Sequence, residues 1–147
     1  MLYITLYISA TAWVVAQLLK GVSGLIQEKR LDLRMFVRPG GMPSSHSALV
    51  TSLTVAVGFL EGFHSTLFAI SAVFAAIVMY DAAGVRLSVS RQSVILNRIL
   101  QELKERRPID IPRDVRQLIG HTPFQVFAGA LLGAFISFLW LFFTNSI

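Results

Sequence analysis

The strongest constraint on this chain is the placement of its apolar residues, which gather in long runs over about 2–26, 44–62, 65–84 and 123–143. A helix of roughly 20 mainly apolar residues crosses the hydrocarbon core of a bilayer. Backbone amides in hydrocarbon must be satisfied within the chain, so such runs become helices. The expected fold is therefore all-α: an integral membrane helical bundle, one domain over residues 1–147, with about four transmembrane helices. A hydrophobic content of 54% fits that reading and not a soluble domain of this length. The first run opens without a basic segment and shows no small-residue cleavage pattern, so it reads as a span and not as a removable signal.

Of the thirteen Lys and Arg residues, all but Lys20, near the end of the first run, lie in the two connections 27–42 and 85–121. The positive-inside rule then places both connections in the cytoplasm and both termini outside. The expected location is the cell membrane, with multiple passes and the polar face cytoplasmic. Basic residues that flank spans report topology, so the net charge of +5 does not indicate nucleic-acid binding. Residues 87–107 mix Leu87, Val94, Ile95, Leu96, Ile99, Leu100 and Leu103 with Arg91, Arg98, Lys104 and Arg106. That pattern predicts an amphipathic helix along the cytoplasmic surface, stopped by Pro108 and Pro112.

Polar residues inside or beside spans carry the functional signal. Lys20 is expected to snorkel to the headgroups, Gln17 to bond a neighbouring helix, and His64 to sit in an exposed turn. Asp81 closes the third span and has Arg86 as its partner. Gly129 and Gly133 form a GxxxG step that lets another helix pack closely, and offer a route to a homo-oligomer. The phenylalanines of the last run and Trp140 read as lipid-facing or belt residues and not as a ligand box.

The stretch RPGGMPSSH, Arg38 to His46, combines the features of a phosphate site. Gly40 and Gly41 let the backbone approach a ligand, and Arg38 supplies a fork of donors. Pro43, Ser44 and Ser45 mark a helix start whose free amides and dipole favour an anion. His46 can give or take a proton. The same ingredients return in GHTPFQ, where Thr122 and Pro123 start the last span directly after His121. The inferred topology puts Arg38, Ser44, Ser45, His46, Asp81, Arg86 and His121 on one face.

RPGGMPSSH, YDAAGVR and GHTPFQVFAGALLG together resemble the divergent PAP2 family, a branch of the type 2 phosphatidic acid phosphatase superfamily, over almost the whole chain. The resemblance implies metal-independent phosphoryl transfer, with no cofactor. A histidine attacks phosphorus, a lysine and arginines hold the oxygens, and a second histidine protonates the leaving group. On that pattern Arg38 matches the arginine-proline pair. Pro43 to His46 match PSGH, with Ser45 in place of glycine and His46 as the acid. Ser90 and Arg91 match the later serine-arginine, but Asn97 stands where the nucleophilic histidine is spaced. His121 then takes that role with Arg86 or Arg91 as clamp, and Gln125 occupies the place of the orienting aspartate. Leu31 stands where the pattern has its lysine, leaving Lys29 or Arg34 as substitutes.

The leading expectation is a membrane phosphatase acting on a lipid or isoprenoid phosphate or pyrophosphate. The rival is a lipid-phosphate binder or assembly protein without turnover, favoured by Gln125 and the displaced lysine. A transporter finds no run of intramembrane charges, and a Mg2+ enzyme using Asp81 with Asp110 or Asp114 lacks metal-ligand spacing.

Overall fold

The computed structural model describes residues 2–28, 41–106 and 120–144. Arg38, Gly40, Lys29, Arg34, Pro108, Pro112, Asp110 and Asp114 lie outside the described residues. All described elements are helices: α1 (Leu2–Glu28), α2 (Ser45–Glu61), α3 (Thr66–Tyr80), a π-helical turn (Asp81–Val85), α4 (Arg86–Arg106) and α5 (Pro123–Phe143). Three stretches are long and apolar enough to cross a membrane: Tyr3–Ile26, Thr66–Leu103 and Pro123–Phe143. The protein is a membrane helical bundle.

α2 is the helix the others surround, packing against α1, α3 and α5. Its 17 residues rise only about 26 Å and are rich in hydroxyls. A centrally placed helix touches protein more than lipid, so it needs small side chains and hydrogen bonds more than bulk hydrophobicity. Ser44, Ala48, Ser52 and Ala56 recur every fourth residue and are fully buried. Against them α5 sets Gly129, Gly133, Ser137 and Leu141, all buried.

A methyl group on Gly129 would run into the Ser44 carbonyl, and one on Gly133 into that of Ala48. The Ser137 hydroxyl donates to the Ser52 carbonyl at 2.7 Å, continuing the same seam. The expected GxxxG step is therefore taken up inside the chain, between α5 and α2. On the other sides, Ile8 of α1 meets Ala56 and Leu141 in the core. Thr54 donates to the Ser71 carbonyl of α3 at 3.1 Å. Tyr3, Leu6, Tyr7, Leu18, Phe127, Leu131 and Phe135 point outward, as lipid-facing positions should.

The expected break between the third span and the amphipathic helix does not occur. α3 runs into α4 through the π-turn as one helix, 38 residues from Thr66 to Leu103. At about 1.5 Å per residue this is roughly 57 Å, well beyond a ~30 Å hydrocarbon core, so α4 extends past the span. Gly84 and the charges around it suggested a boundary; a π-turn accommodates them without ending the helix. The exposed apolar side chains Ile95, Leu96, Ile99 and Leu103 and the exposed Arg91 and Arg98 retain the amphipathic character read from the sequence.

Close backbone approach at Gly133 makes a specific prediction. Gly133→Val should lower stability by about 1–3 kcal/mol through overpacking against Ala48, read as a lower thermal midpoint in detergent. Gly84→Ala, whose added methyl would meet only the Tyr80 ring at 4.0 Å, should leave that midpoint unchanged or slightly raised.

Candidate functional site

Two helix starts meet at one end of the bundle. Ser44 caps α2: its hydroxyl oxygen accepts from the Ser47 N–H at 3.4 Å and from the Ser47 hydroxyl at 3.0 Å. The Ser44 N–H in turn donates to the Gln125 carbonyl in the first turn of α5, at 3.1 Å. Ser44 is thus committed to capping and to the α2–α5 joint, while Ser45 is buried in the first helical position beside it. His46 follows on that turn and is exposed.

α5 starts with a capping box. The Gln125 N–H donates to Thr122 Oγ1 at 3.3 Å, and the Thr122 N–H donates to Gln125 Oε1 at 2.9 Å. The side-chain oxygen of Gln125 is therefore engaged with the backbone of its own helix. It does not stand in for an aspartate that orients His121, because a residue three places into a helix is geometrically suited to the cap.

The π-turn brings in the third element. Its defining bond runs from the Arg86 N–H to the Asp81 carbonyl. Closing the helix over five residues brings the two side chains together, and Arg86 Nε lies 2.7 Å from Asp81 Oδ2. In a regular α-helix these positions would point about 140° apart. The Ala82 carbonyl within the turn accepts the His121 N–H at 3.2 Å. Gly120 lies directly on the backbone of Arg86 and Leu87, where any side chain would collide. His121 is thus anchored to the same turn that presents Arg86.

α1 contributes Lys20, which the sequence reading left at the headgroups. Only 9% of it is exposed. Its stem runs under Gly41: a Cβ there would lie 3.1 Å from Lys20 Cγ, and Gly41 has a φ of +85°. Both facts call for glycine at that position. Ser23 ties α1 to the same loop, donating to the Met42 carbonyl at 3.0 Å. Gln17 accepts from Lys20 Nζ at 3.4 Å on its own helix and not from a neighbour. The signal for Lys20 was present in the four-residue stripe Ile8, Ala12, Ala16, Lys20, which puts it on the inward side of α1.

These elements converge electrostatically on His121. Its side chain is 6% exposed, and Nδ1 is buried without a hydrogen-bond partner. Burial, then the charges of His46, Lys20 and Arg86, push its pKa down from 6.5 to about 4. The imidazole is neutral at physiological pH and keeps a free lone pair. Arg91 and Asn97 lie on α4, roughly 8 and 16 Å along the axis from Arg86. No three His, Asp or Glu side chains among the described residues converge as metal ligands would. An apolar cavity of about 370 Å3, lined by Leu6, Leu53, Val57, Glu61, Ile70 and Phe74, lies toward the opposite end of α2.

With this geometry in hand, the comparison with known proteins is direct: the profile of the divergent PAP2 family matches residues 3–136. The chain belongs to that family. It is 35% identical over 145 residues to the uncharacterized membrane protein YuiD of Bacillus subtilis (strain 168), covering 92% of each chain. No solved structure matches it. The matched range takes in the two helix starts and the π-turn.

The depressed His121 fixes the sign of a pH effect on stability. Unfolded, the imidazole takes up its proton near 6.5; folded, only near 4. Below 6.5 the unfolded chain binds more protons, so the native state loses ~3 kcal/mol as pH falls to about 4, and the loss is absent above 6.5. Thermal unfolding in detergent at pH 4.5 and 7 should show an acid loss in the wild type that His121→Gln largely removes.

Proposed function

We propose that this protein is a membrane-embedded phosphatase that hydrolyses a lipid phosphate or pyrophosphate at the cytoplasmic face, with His121 as nucleophile and His46 as proton donor. The observation that carries this reading is the buried imidazole of His121, whose proton uptake is opposed by burial and by the cations Lys20 and Arg86. A ring nitrogen of His121 attacks phosphorus, the bond to the leaving oxygen breaks, and His46 delivers a proton to that oxygen. Water then cleaves the phosphohistidine, returning phosphate, while His46 takes the proton of the attacking water. Arg86, the neighbouring cations and the α2 N-terminus offset the charge on the phosphoryl oxygens, the main requirement of such a reaction.

A second reading, a lipid-phosphate binder without turnover, is favoured by one observation. His121 Nδ1 has no partner among the described residues, and Gln125, which might have oriented it, is held in the capping box. An imidazole without a carboxylate partner is a poorer base for attack.

Phosphate release from a panel of lipid phosphates, measured on purified protein with and without EDTA, separates these readings. The phosphatase should release phosphate in EDTA, lose turnover in His121→Ala, and slow by roughly 10²–10⁴-fold in His46→Ala, as for loss of a general acid. Binding without release by any variant would establish the second reading.

The cytoplasmic orientation has its own test in this cysteine-free chain. Single cysteines at Glu61 and Arg98, both exposed, would be probed with an impermeant thiol reagent on intact cells. Labelling at position 61 alone is expected; labelling at position 98 alone would put the site outside.

A further inference from the structure

We propose that the cleft between α1, α2 and α3, at the end of the bundle away from His121, holds one tail of a membrane lipid whose amine-bearing, zwitterionic headgroup pairs with Glu61. This lipid site is separate from the two helix starts and independent of any turnover there.

The cleft arises because two helices share α2 as a neighbour. α1 packs on α2 and α5, while α3 packs on α2 and the π-turn. On one flank Ile8 clusters with Ala56, and on the other Thr54 donates to the Ser71 carbonyl at 3.1 Å. Between these contacts α2 presents Leu53, Val57 and Glu61, each one turn from the next, as a floor. Leu6 of α1 and Ile70 and Phe74 of α3 wall a cavity of about 370 Å3, within the range of small-molecule sites. The three wall residues are more than half exposed and lie on stretches able to cross a membrane, so the cleft opens to lipid. The Ser71 hydroxyl donates to the Phe68 carbonyl at 2.9 Å, so it asks nothing of a guest. The α2–α3 turn is held in place by Phe63, whose ring packs edge-on against Phe59 and Phe68 at 5.3 and 5.2 Å. The cleft is therefore preformed.

Length decides the kind of occupant. From Leu53 to Glu61 the floor rises about 12 Å at 1.5 Å per residue, close to one leaflet, which is half of a ~30 Å hydrocarbon core. A second copy or a partner helix crossing the bilayer needs a face along the whole span, whereas a lipid tail occupies one leaflet. In the cleft a tail touches three helices at once, and dispersion grows with the number of such contacts. Charge decides the headgroup. Glu61 is the last residue of α2 and is exposed at the mouth of the cleft. Residues 1–19, 41–85 and 120–144 contain no Lys or Arg, so no such side chain from α1 above Lys20, α2, α3 or α5 competes for its carboxylate. An anionic headgroup is repelled there, while the ammonium of an ethanolamine-type headgroup gains a charge-assisted hydrogen bond. Exposed ion pairs contribute modestly, so the preference between headgroups should be a few-fold.

The probes are phosphatidylethanolamine and phosphatidylglycerol, each carrying a photoactivatable diazirine on one tail, added in trace amounts to the protein in phosphatidylglycerol nanodiscs. Adducts mapped by tandem mass spectrometry should concentrate on Val57 and Ile70, although Phe127, Leu131 and Phe135 of α5 are about as exposed as Ile70. Phosphatidylethanolamine should label the cleft a few-fold more than phosphatidylglycerol, and Glu61→Gln should bring the two level. Val57→Trp, which fills the floor, should remove the adducts at Ile70. Adducts spread evenly over α3 and α5 of the wild type would overturn the tail site, whether or not Val57→Trp folds. Undiminished labelling of Ile70 in a folded Val57→Trp would do the same. Equal labelling by the two lipids in the wild type would overturn the headgroup pairing. Cleft adducts lost in Arg86→Ala would tie the lipid to the phosphate site and overturn the separation of the two. A disulfide-linked dimer of Val57→Cys without lipid adducts would put a second copy in the cleft instead.

Discussion

The close approach of α2 and α5 is the contact on which the rest of the structure depends. Gly129 and Gly133 let the α5 backbone lie against the carbonyls of Ser44 and Ala48, closer than any side chain would allow. In a bilayer, apolar side chains gain little by leaving lipid for protein, so helix association rests on such packing and on hydrogen bonds. Ser137 to Ser52 and Ser44 to Gln125 supply those bonds along the same seam. The register they set brings the first turn of α2 beside the first turn of α5. Positive dipole ends of two helices then face one region, where negative charge is favoured.

The π-turn at Asp81–Val85 connects that region to the third helix. It changes which side chains share a face, so Asp81 and Arg86 pair and the Ala82 carbonyl meets the backbone of His121. A straight α-helix would offer neither contact. The turn therefore links cation placement to imidazole placement: the residue that supplies a guanidinium and the one that supplies the imidazole are tied through a few backbone atoms. Gly120, resting on the Arg86 and Leu87 backbone, reinforces that link.

Burial and charge then act together on His121. Its surroundings disfavour protonation twice, by removing water and by adding positive neighbours, and the second effect also favours an anion. A group kept neutral among cations has the character expected of a nucleophile toward a phosphoryl centre. The same surroundings would suit a site that only binds, since anion recognition and phosphoryl transfer use the same charges and differ in the proton and electron-pair steps.

Much of this was legible in the amino-acid order because it is local. Apolar run length determined the membrane bundle, the residues before each run determined the caps at Ser44 and Thr122, and Asp81 was recognisable as the partner of Arg86. What lay between helices was not legible. Only the tertiary structure turned Lys20 inward, used the Gly129–Gly133 step within the chain, carried α3 unbroken into α4 and left Arg91 and Asn97 along α4. It also committed Gln125 to a cap. The physical reason is that span length, capping and hydropathy depend on neighbours a few residues away. The facing of a single lysine or glycine depends on the rotation and register of helices far apart in the chain, which packing alone decides.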